Sequence, residues 1–171
     1  CGNLRVQSKK EEKIMTQFQL GSVSHGTLRP QDLMPAFLSA LADLRQPIPG
    51  NIEATKYMEY VGDMFTTAAI DEDDEFWDSE EVQFDMDDLI EALNNNLPPF
   101  VYFGTLEGDG SDFGFWPDMD RLEEFIQEEG KITSDPLEVI LPQSGFRVLS
   151  SEQGANVTLM NMERDVIWAL S

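Results

Sequence analysis

Apolar residues in the first third of the chain recur with helical spacing. Between residues 33 and 44 they stand three or four positions apart, which predicts an amphipathic helix that opens near residues 27–30. Pro30 suits the first turn of this helix, because a proline lacks the backbone N–H that this turn leaves unpaired. A short extended segment is expected before it, over residues 18–23. The apolar stripe consists of Leu33, Met34, Phe37, Leu38, Leu41 and Leu44.

Two more helices are predicted in the next part of the chain, over residues 53–69 and residues 86–95, which repeat the same spacing. Asp85 stands where the N-cap of the later helix is expected. Between the two helices, Phe76 and Trp77 are embedded among acidic residues. Their presence indicates that this segment packs at least partly on the body of the protein. The outward side of the later helix is expected to carry Asp87, Asp88 and Glu91.

From residue 100 the pattern becomes the alternation that is typical of strands. Residues 100–106 and 113–116 flank a glycine-rich stretch at 107–112, which predicts a hairpin. A helix then runs to Gly130, which we expect to end it in the left-handed conformation. Four more short strands are predicted at residues 137–141, 145–150, 156–160 and 165–170.

Helices that precede strands, without βαβ alternation, predict an α+β fold. We expect about three N-terminal helices, followed by a mainly antiparallel sheet of about five to six short strands with one inserted helix. The 171 residues include 41% apolar residues and eleven Phe, enough for a single folded domain over residues 15–171. The single cysteine, Cys1, excludes an internal disulfide framework.

Residues 1–14 are polar and show no periodicity, and we expect a disordered tail or a non-native extension there, with Met15 as the natural initiator. The alternative is a mature lipoprotein anchored through Cys1. No run of residues approaches the length of a membrane span. We therefore expect a cytoplasmic protein with no membrane partner.

The negative charge of the chain is concentrated in one window. The whole chain carries 33 acidic and 11 basic residues, yet residues 57–120 contain 19 acidic residues and neither lysine nor arginine. Such a field repels nucleic acid and attracts basic proteins or metal cations. We expect a basic protein partner, bound by Asp71, Glu72, Asp73, Asp74, Glu75, Phe76, Trp77, Asp78, Glu80, Glu81, Asp87, Asp88 and Glu91. In this set the two aromatic residues are expected to be apolar anchors.

A divalent-cation site in the glycine-rich stretch is the alternative function. Carboxylate oxygens suit Ca²⁺ or Mg²⁺, but the spacing does not match an EF-hand. The candidate ligands are Glu107, Asp109 and Asp112. His25 is the only histidine, and no nucleophile elbow, His-Glu-x-x-His motif, P-loop or dinucleotide fingerprint is present, so we expect no enzyme.

Three stretches of the chain resemble a group of small, uncharacterised proteins that bacteriophages and plasmids carry. They are HGTLRPQDL at residues 25–33, YFG followed by EGDGSDFGFW within residues 102–116, and NVTL with the later VIW within residues 156–168. The resemblance implies a mobile-element context in the cytoplasm of a bacterial host, and it supplies no catalytic residues.

Charge and context together favour an acidic accessory protein of a mobile element that binds a basic protein surface. Its most concrete form is a DNA mimic that inhibits a DNA-binding enzyme of the host. A structural protein whose charge has no role in binding is the remaining alternative.

Overall fold

Four helices and eight strands make up the described part of the chain. In the computed structural model, residues 17–66 and 75–171 are described, residues 64–66 by their backbone alone. The elements, in chain order, are β1 (Gly21–Ser24), α1 (Pro30–Asp43), α2 (Ala54–Thr66), α3 (Glu80–Asn94), β2 (Val101–Leu106), β3 (Asp109–Pro117), α4 (Met119–Glu129), β4 (Lys131–Ile132), β5 (Glu138–Leu141), β6 (Phe146–Ser150), β7 (Val157–Asn161) and β8 (Val166–Leu170). The expectations for residues 1–14 and for Asp71, Glu72, Asp73 and Asp74 lie outside the described residues.

The predicted α+β class is confirmed, and the strands form two antiparallel sheets. One sheet has the order β1-β3-β2 and the other the order β4-β5-β6-β7-β8. The strand number exceeds the expected five to six because the extended segment near residue 20 pairs as β1, and because β4 adds two residues at a sheet edge. A two-residue strand is too short to show alternation in the sequence. Nowhere in the described chain does a helix combine the length and apolar character needed to cross a membrane.

The first core lies between α1, α3 and the three-stranded sheet. The predicted stripe on α1 is buried there from Leu33 to Leu41, and the helix continues through Pro35. Phe37 contacts the sheet edge to face, with its ring centroid 4.9 Å from that of Phe103. Helical spacing in the sequence therefore placed this helix correctly, since one face must be covered by the sheet.

The second core lies between α4 and the five-stranded sheet, and it includes Leu122, Leu159 and Trp168. The indole Nε1 of Trp168 donates a hydrogen bond of 2.8 Å to the carbonyl oxygen of Pro99, which ties β8 to the chain just before β2. Phe18 joins the two cores. Its backbone N–H donates to the carbonyl oxygen of Ile167 at 2.8 Å, and its ring packs on both clusters.

Glu138 is a buried carboxylate on β5, with 3% of its surface exposed. Arg147 binds one of its oxygens at 2.7 Å, and Arg164 binds the other at 3.2 Å. The hydrogen bond from Arg147 is the main reason why the pKa of Glu138 lies below its usual value, and the charge of Arg164 adds to this effect. The positive charges of the two arginines compensate the carboxylate for the hydration that it loses on burial.

The expected left-handed conformation of Gly130 is wrong. Gly130 follows α4 with φ −62° and ψ 132°, which is extended backbone. The glycine is required by space instead, because a Cβ at this position would collide with the carbonyl oxygen of Ile126.

Gly114 offers a test of how closely β1 and β3 approach. A Cβ at Gly114 would collide with the carbonyl oxygen of Gly21 and lie 2.9 Å from the Cα of Ser22, whereas one at Gly110 on the same strand would meet nothing within 4 Å. We expect Gly114→Ala to lower the free energy of unfolding by about 1–3 kcal/mol, the usual cost of overpacking. Gly110→Ala should change it by no more than about 0.5 kcal/mol. Urea denaturation measures both, and equal stability of the two variants would contradict this packing.

Candidate functional site

Helix α3 begins six residues before the predicted start. Ser79 is the N-cap, and its Oγ accepts a hydrogen bond of 3.4 Å from the backbone N–H of Val82. The predicted cap, Asp85, lies inside the helix, so that prediction is wrong. The physical reason is that the apolar stripe begins at Val82, so the acidic residues before Asp85 are already part of the helix. The buried apolar residues of α3 are Val82, Met86, Leu89 and Leu93.

Asp85 points into the core, with 6% of its surface exposed. Its carboxylate accepts a hydrogen bond from the hydroxyl of Tyr57 on α2. Burial is the main cause that raises the pKa of Tyr57 well above its usual value, and the hydrogen bond to Asp85 raises it further. This buried polar contact fixes α2 against α3 and removes Asp85 from the acidic surface.

The aromatic pair before α3 also packs inward. Trp77 is 2% exposed, and its ring centroid lies 5.6 Å from that of Tyr60 and 6.0 Å from that of Tyr57. The prediction that this segment packs on the body is confirmed by these contacts. The prediction that Trp77 is an apolar anchor for a partner is wrong, because a partner cannot reach a side chain that the core covers. Phe76 is half-buried, 4.5 Å from the ring of Tyr60.

The remaining predicted acids of α3 face outward together. At 3.6 residues per turn they fall within about 120° of the helix circumference. All are exposed except Asp88, which is half-buried. We call this set the α3 acidic face, and it consists of Glu80, Glu81, Asp87, Asp88 and Glu91. Glu75 and Asp78, in the turn before the helix, are exposed as well.

Phe84 lies at the centre of the α3 acidic face, and 64% of its surface is exposed. Phe84 was not among the expected functional residues, because the helix was expected to start only at residue 86. The signal was present in the apolar stripe: extending the helical period backward through Met86 to Val82 places Phe84 on the opposite, solvent side. Phe84 is therefore an exposed aromatic side chain with carboxylates on both sides of it.

Few basic groups balance the α3 acidic face. Lys56 on α2 forms an ion pair with Glu81 at 3.1 Å, and its ammonium also lies 5.3 Å from the ring of Phe76. Asn51 donates a hydrogen bond to Asp88. Within the described residues, the other two ion pairs belong to Glu138, so Glu80, Asp87 and Glu91 form none. No lysine or arginine of the described residues therefore balances their charges.

The second candidate cluster lies at the β2–β3 hairpin. Leu106 pairs with Asp109, so the turn has only two residues, and three residues of β3 bulge before the next pair forms. The expected loop at 107–112 is therefore mostly strand. Asp109 and Asp112 lie close together as predicted, but Glu107 is in the turn and outside their cluster.

His25 completes this cluster. One ligand atom each from His25, Asp109 and Asp112 lies within 4.8 Å of the others, the one such group found in the described residues. Ser111 donates to Asp109 through its hydroxyl at 2.8 Å and its backbone N–H at 3.0 Å. These two hydrogen bonds are the main reason why the pKa of Asp109 is below its usual value. The sequence could not link His25 to the hairpin, because their proximity arises from β1–β3 pairing.

Comparison of the chain with protein-family models, with curated proteins and with solved structures finds no match. What the protein does is therefore inferred from its charges, its contacts and its exposed side chains.

The contact between Tyr57 and Asp85 can be tested by removing one hydroxyl. We expect Tyr57→Phe to lower the free energy of unfolding by about 1–3 kcal/mol, since it leaves a buried carboxylate without its donor. Tyr60→Phe is the matched control, because the ring of Tyr60 packs on the same two aromatic residues and its hydroxyl donates no hydrogen bond to a described residue. Chemical denaturation at pH 7 measures both variants. Equal stability of the two would exclude a structural role for the contact.

Proposed function

We propose that the protein binds a basic protein surface through the α3 acidic face, with Phe84 as the central apolar contact. The observation that carries the proposal is the 64% exposure of Phe84 at the centre of an arc of five carboxylates. A surface that served only solubility has no need of an exposed aromatic side chain at this position. An apolar centre within a charged rim is the usual composition of a protein interface.

The two parts of this surface have different roles in binding. The carboxylates attract a basic partner over a distance and set the rate of association, which salt then reduces. Phe84 provides affinity after contact, because an aromatic side chain that enters a pocket of the partner loses its contact with water. Trp77 has no direct role in this account, since the core already covers it.

DNA mimicry is the most concrete form of the proposal. Glu80 and Glu91 are eleven residues apart, which corresponds to about 16 Å of helix at a rise of 1.5 Å per residue. The five carboxylates of the face therefore average one per about 3–4 Å of helix axis, in two close pairs and a single residue, and this average is close to the spacing of about 3.4 Å between phosphates along one DNA strand. We propose that the partner is a DNA-binding protein of the host.

The context of a mobile element comes from the resemblance of three sequence stretches to phage and plasmid proteins. A small acidic protein that occupies the basic cleft of a nuclease, restriction enzyme or repressor suits such an element. Competition with DNA distinguishes this form from binding to other basic proteins: a DNA mimic and a DNA duplex cannot occupy the same cleft together.

Capture of the partner from a bacterial lysate at low salt, followed by calorimetry with the purified partner, tests the proposal. We expect Phe84→Ala to raise Kd about tenfold or more, since truncation of a central aromatic residue costs on the order of 2 kcal/mol. The combined variant Glu80→Gln, Asp87→Asn, Glu91→Gln should weaken binding about tenfold at low salt and reduce its salt dependence.

A matched control is available on α4, where Glu123, Glu124 and Glu128 are also exposed. Changing these three residues to Gln removes the same number of negative charges from another place on the protein. If the position of the charges rather than the net charge decides binding, Kd should stay within about twofold. Equal weakening by both triple variants would show that only net charge matters. If the Phe84→Ala variant bound the partner with an unchanged Kd, the proposed apolar contact would be contradicted.

A further inference from the structure

Two irregularities in neighbouring strand pairs bring His25, Asp109 and Asp112 together. In the β1–β3 pair, Ser22 is opposite Gly114 and Ser24 is opposite Phe113, so β1 has one extra residue at this point. In the β2–β3 pair, β3 has three extra residues, 110–112, which directly precede Phe113. Bulges redirect side chains and are frequent next to functional sites. Here they direct an imidazole and two carboxylates toward one point from separate segments.

Asp112 is a buried carboxylate that, unlike Asp85 in the helical core, has an imidazole and a second carboxylate beside it. It is 9% exposed, and its Oδ1 accepts a hydrogen bond of 2.5 Å from the hydroxyl of Ser22. Glu138 is neutralised by two arginines, whereas Asp112 forms no ion pair with a lysine or arginine of the described chain. A carboxylate taken out of water without a balancing positive charge is costly. A bound dication would supply that charge.

The surroundings orient both carboxylates. Ser22 fixes Asp112 from β1, and Ser111 fixes Asp109 from the bulge. The backbone N–H of Gly26 donates to the carbonyl oxygen of Ser111 at 3.2 Å, which holds the segment that carries His25 against the bulge. Hydrogen bonds of this kind, one step outside the ligand atoms, are what positions metal ligands in proteins.

We propose that His25, Asp109 and Asp112 bind a first-row transition dication of the Zn²⁺ type. One imidazole nitrogen and two carboxylate oxygens form a mixed donor set that suits such an ion, while Ca²⁺ and Mg²⁺ prefer oxygen ligands alone. The site differs from the one expected from the sequence, because His25 takes the place of Glu107. It does not involve the α3 acidic face, so the two proposals stand or fall separately.

Binding of Zn²⁺ requires the three ligand atoms to move only slightly closer together. Ligands about 2.0–2.1 Å from a tetrahedral Zn²⁺ lie about 3.4 Å from one another. The ligand atoms here are within 4.8 Å of one another, and His25 is exposed, so its ring can move toward the two carboxylates. Three protein ligands leave one tetrahedral position for water or another small ligand.

The single histidine of the chain makes the test direct, since its ring gives the one imidazole signal in an NMR spectrum. Protein treated with EDTA and then dialysed is titrated with Zn²⁺, by calorimetry and by NMR of the His25 ring. We expect one ion per chain and a shift of the His25 ring signals that is complete at one equivalent. His25→Ala should raise Kd about tenfold or more, since even outer partners of metal ligands contribute about that much.

Two variants separate this site from general attraction of cations to an acidic protein. Glu107→Gln removes a neighbouring charge outside the cluster and should leave Kd unchanged, whereas Asp109→Asn should weaken binding as His25→Ala does. Both His25 and Glu107 are exposed, so both variants are expected to fold, which circular dichroism checks. Zn²⁺ binding that leaves the His25 signals in place, equal affinity of His25→Ala, or equal affinity for Mg²⁺ would each overturn the proposal.

Discussion

Repulsion among like charges is the constraint on which this structure depends. Nineteen acidic residues without a lysine or arginine occupy residues 57–120, and such a density of like charge opposes a compact state. The apolar side of α3 overcomes that repulsion: burial of a side chain such as Leu89 or Leu93 contributes roughly 1.5–3 kcal/mol each. Because the apolar side must face the core, the carboxylates of α3 must face solvent. The direction of the acidic surface is thus a consequence of packing.

Carboxylates in the described part of the protein have four different environments. Glu138, paired with two arginines, stabilises the five-stranded sheet. Asp85, bound by the hydroxyl of Tyr57, holds two helices together. Glu80, Asp87 and Glu91 on α3 are exposed and form no ion pair within the described residues. Asp112 is the fourth case, since it is buried beside His25 and forms no ion pair with a lysine or arginine of the described residues.

Periodicity predicted the elements whose residues follow a regular pattern. α1 and the strands β5 to β8 were located correctly, because hydrophobic positions alone determine their buried faces. The start of α3 was predicted too late, since acidic residues obscured the stripe that begins at Val82. Gly130 was expected to adopt the left-handed conformation, whereas the structure requires a glycine there because the carbonyl oxygen of Ile126 leaves no room for a Cβ. For the candidate sites, Asp109 and Asp112 were named from the sequence and lie close together in the structure. His25 and Phe84 became candidates only from the tertiary structure. Strand pairing brings His25 to the hairpin, and the orientation of α3 places Phe84 on its solvent side.

Thiol labelling at the α3 acidic face tests the central claim most directly. In a Cys1→Ser background, Phe84→Cys introduces a single thiol at the centre of the face, and Gln127→Cys introduces one on the exposed side of α4. We expect both thiols to react rapidly in the free protein. When the captured partner is bound, the thiol at position 84 should react at least about tenfold more slowly, since an interface centre excludes solvent, while the thiol at position 127 keeps its rate. Equal reactivity at position 84 in the free and bound protein would contradict the account.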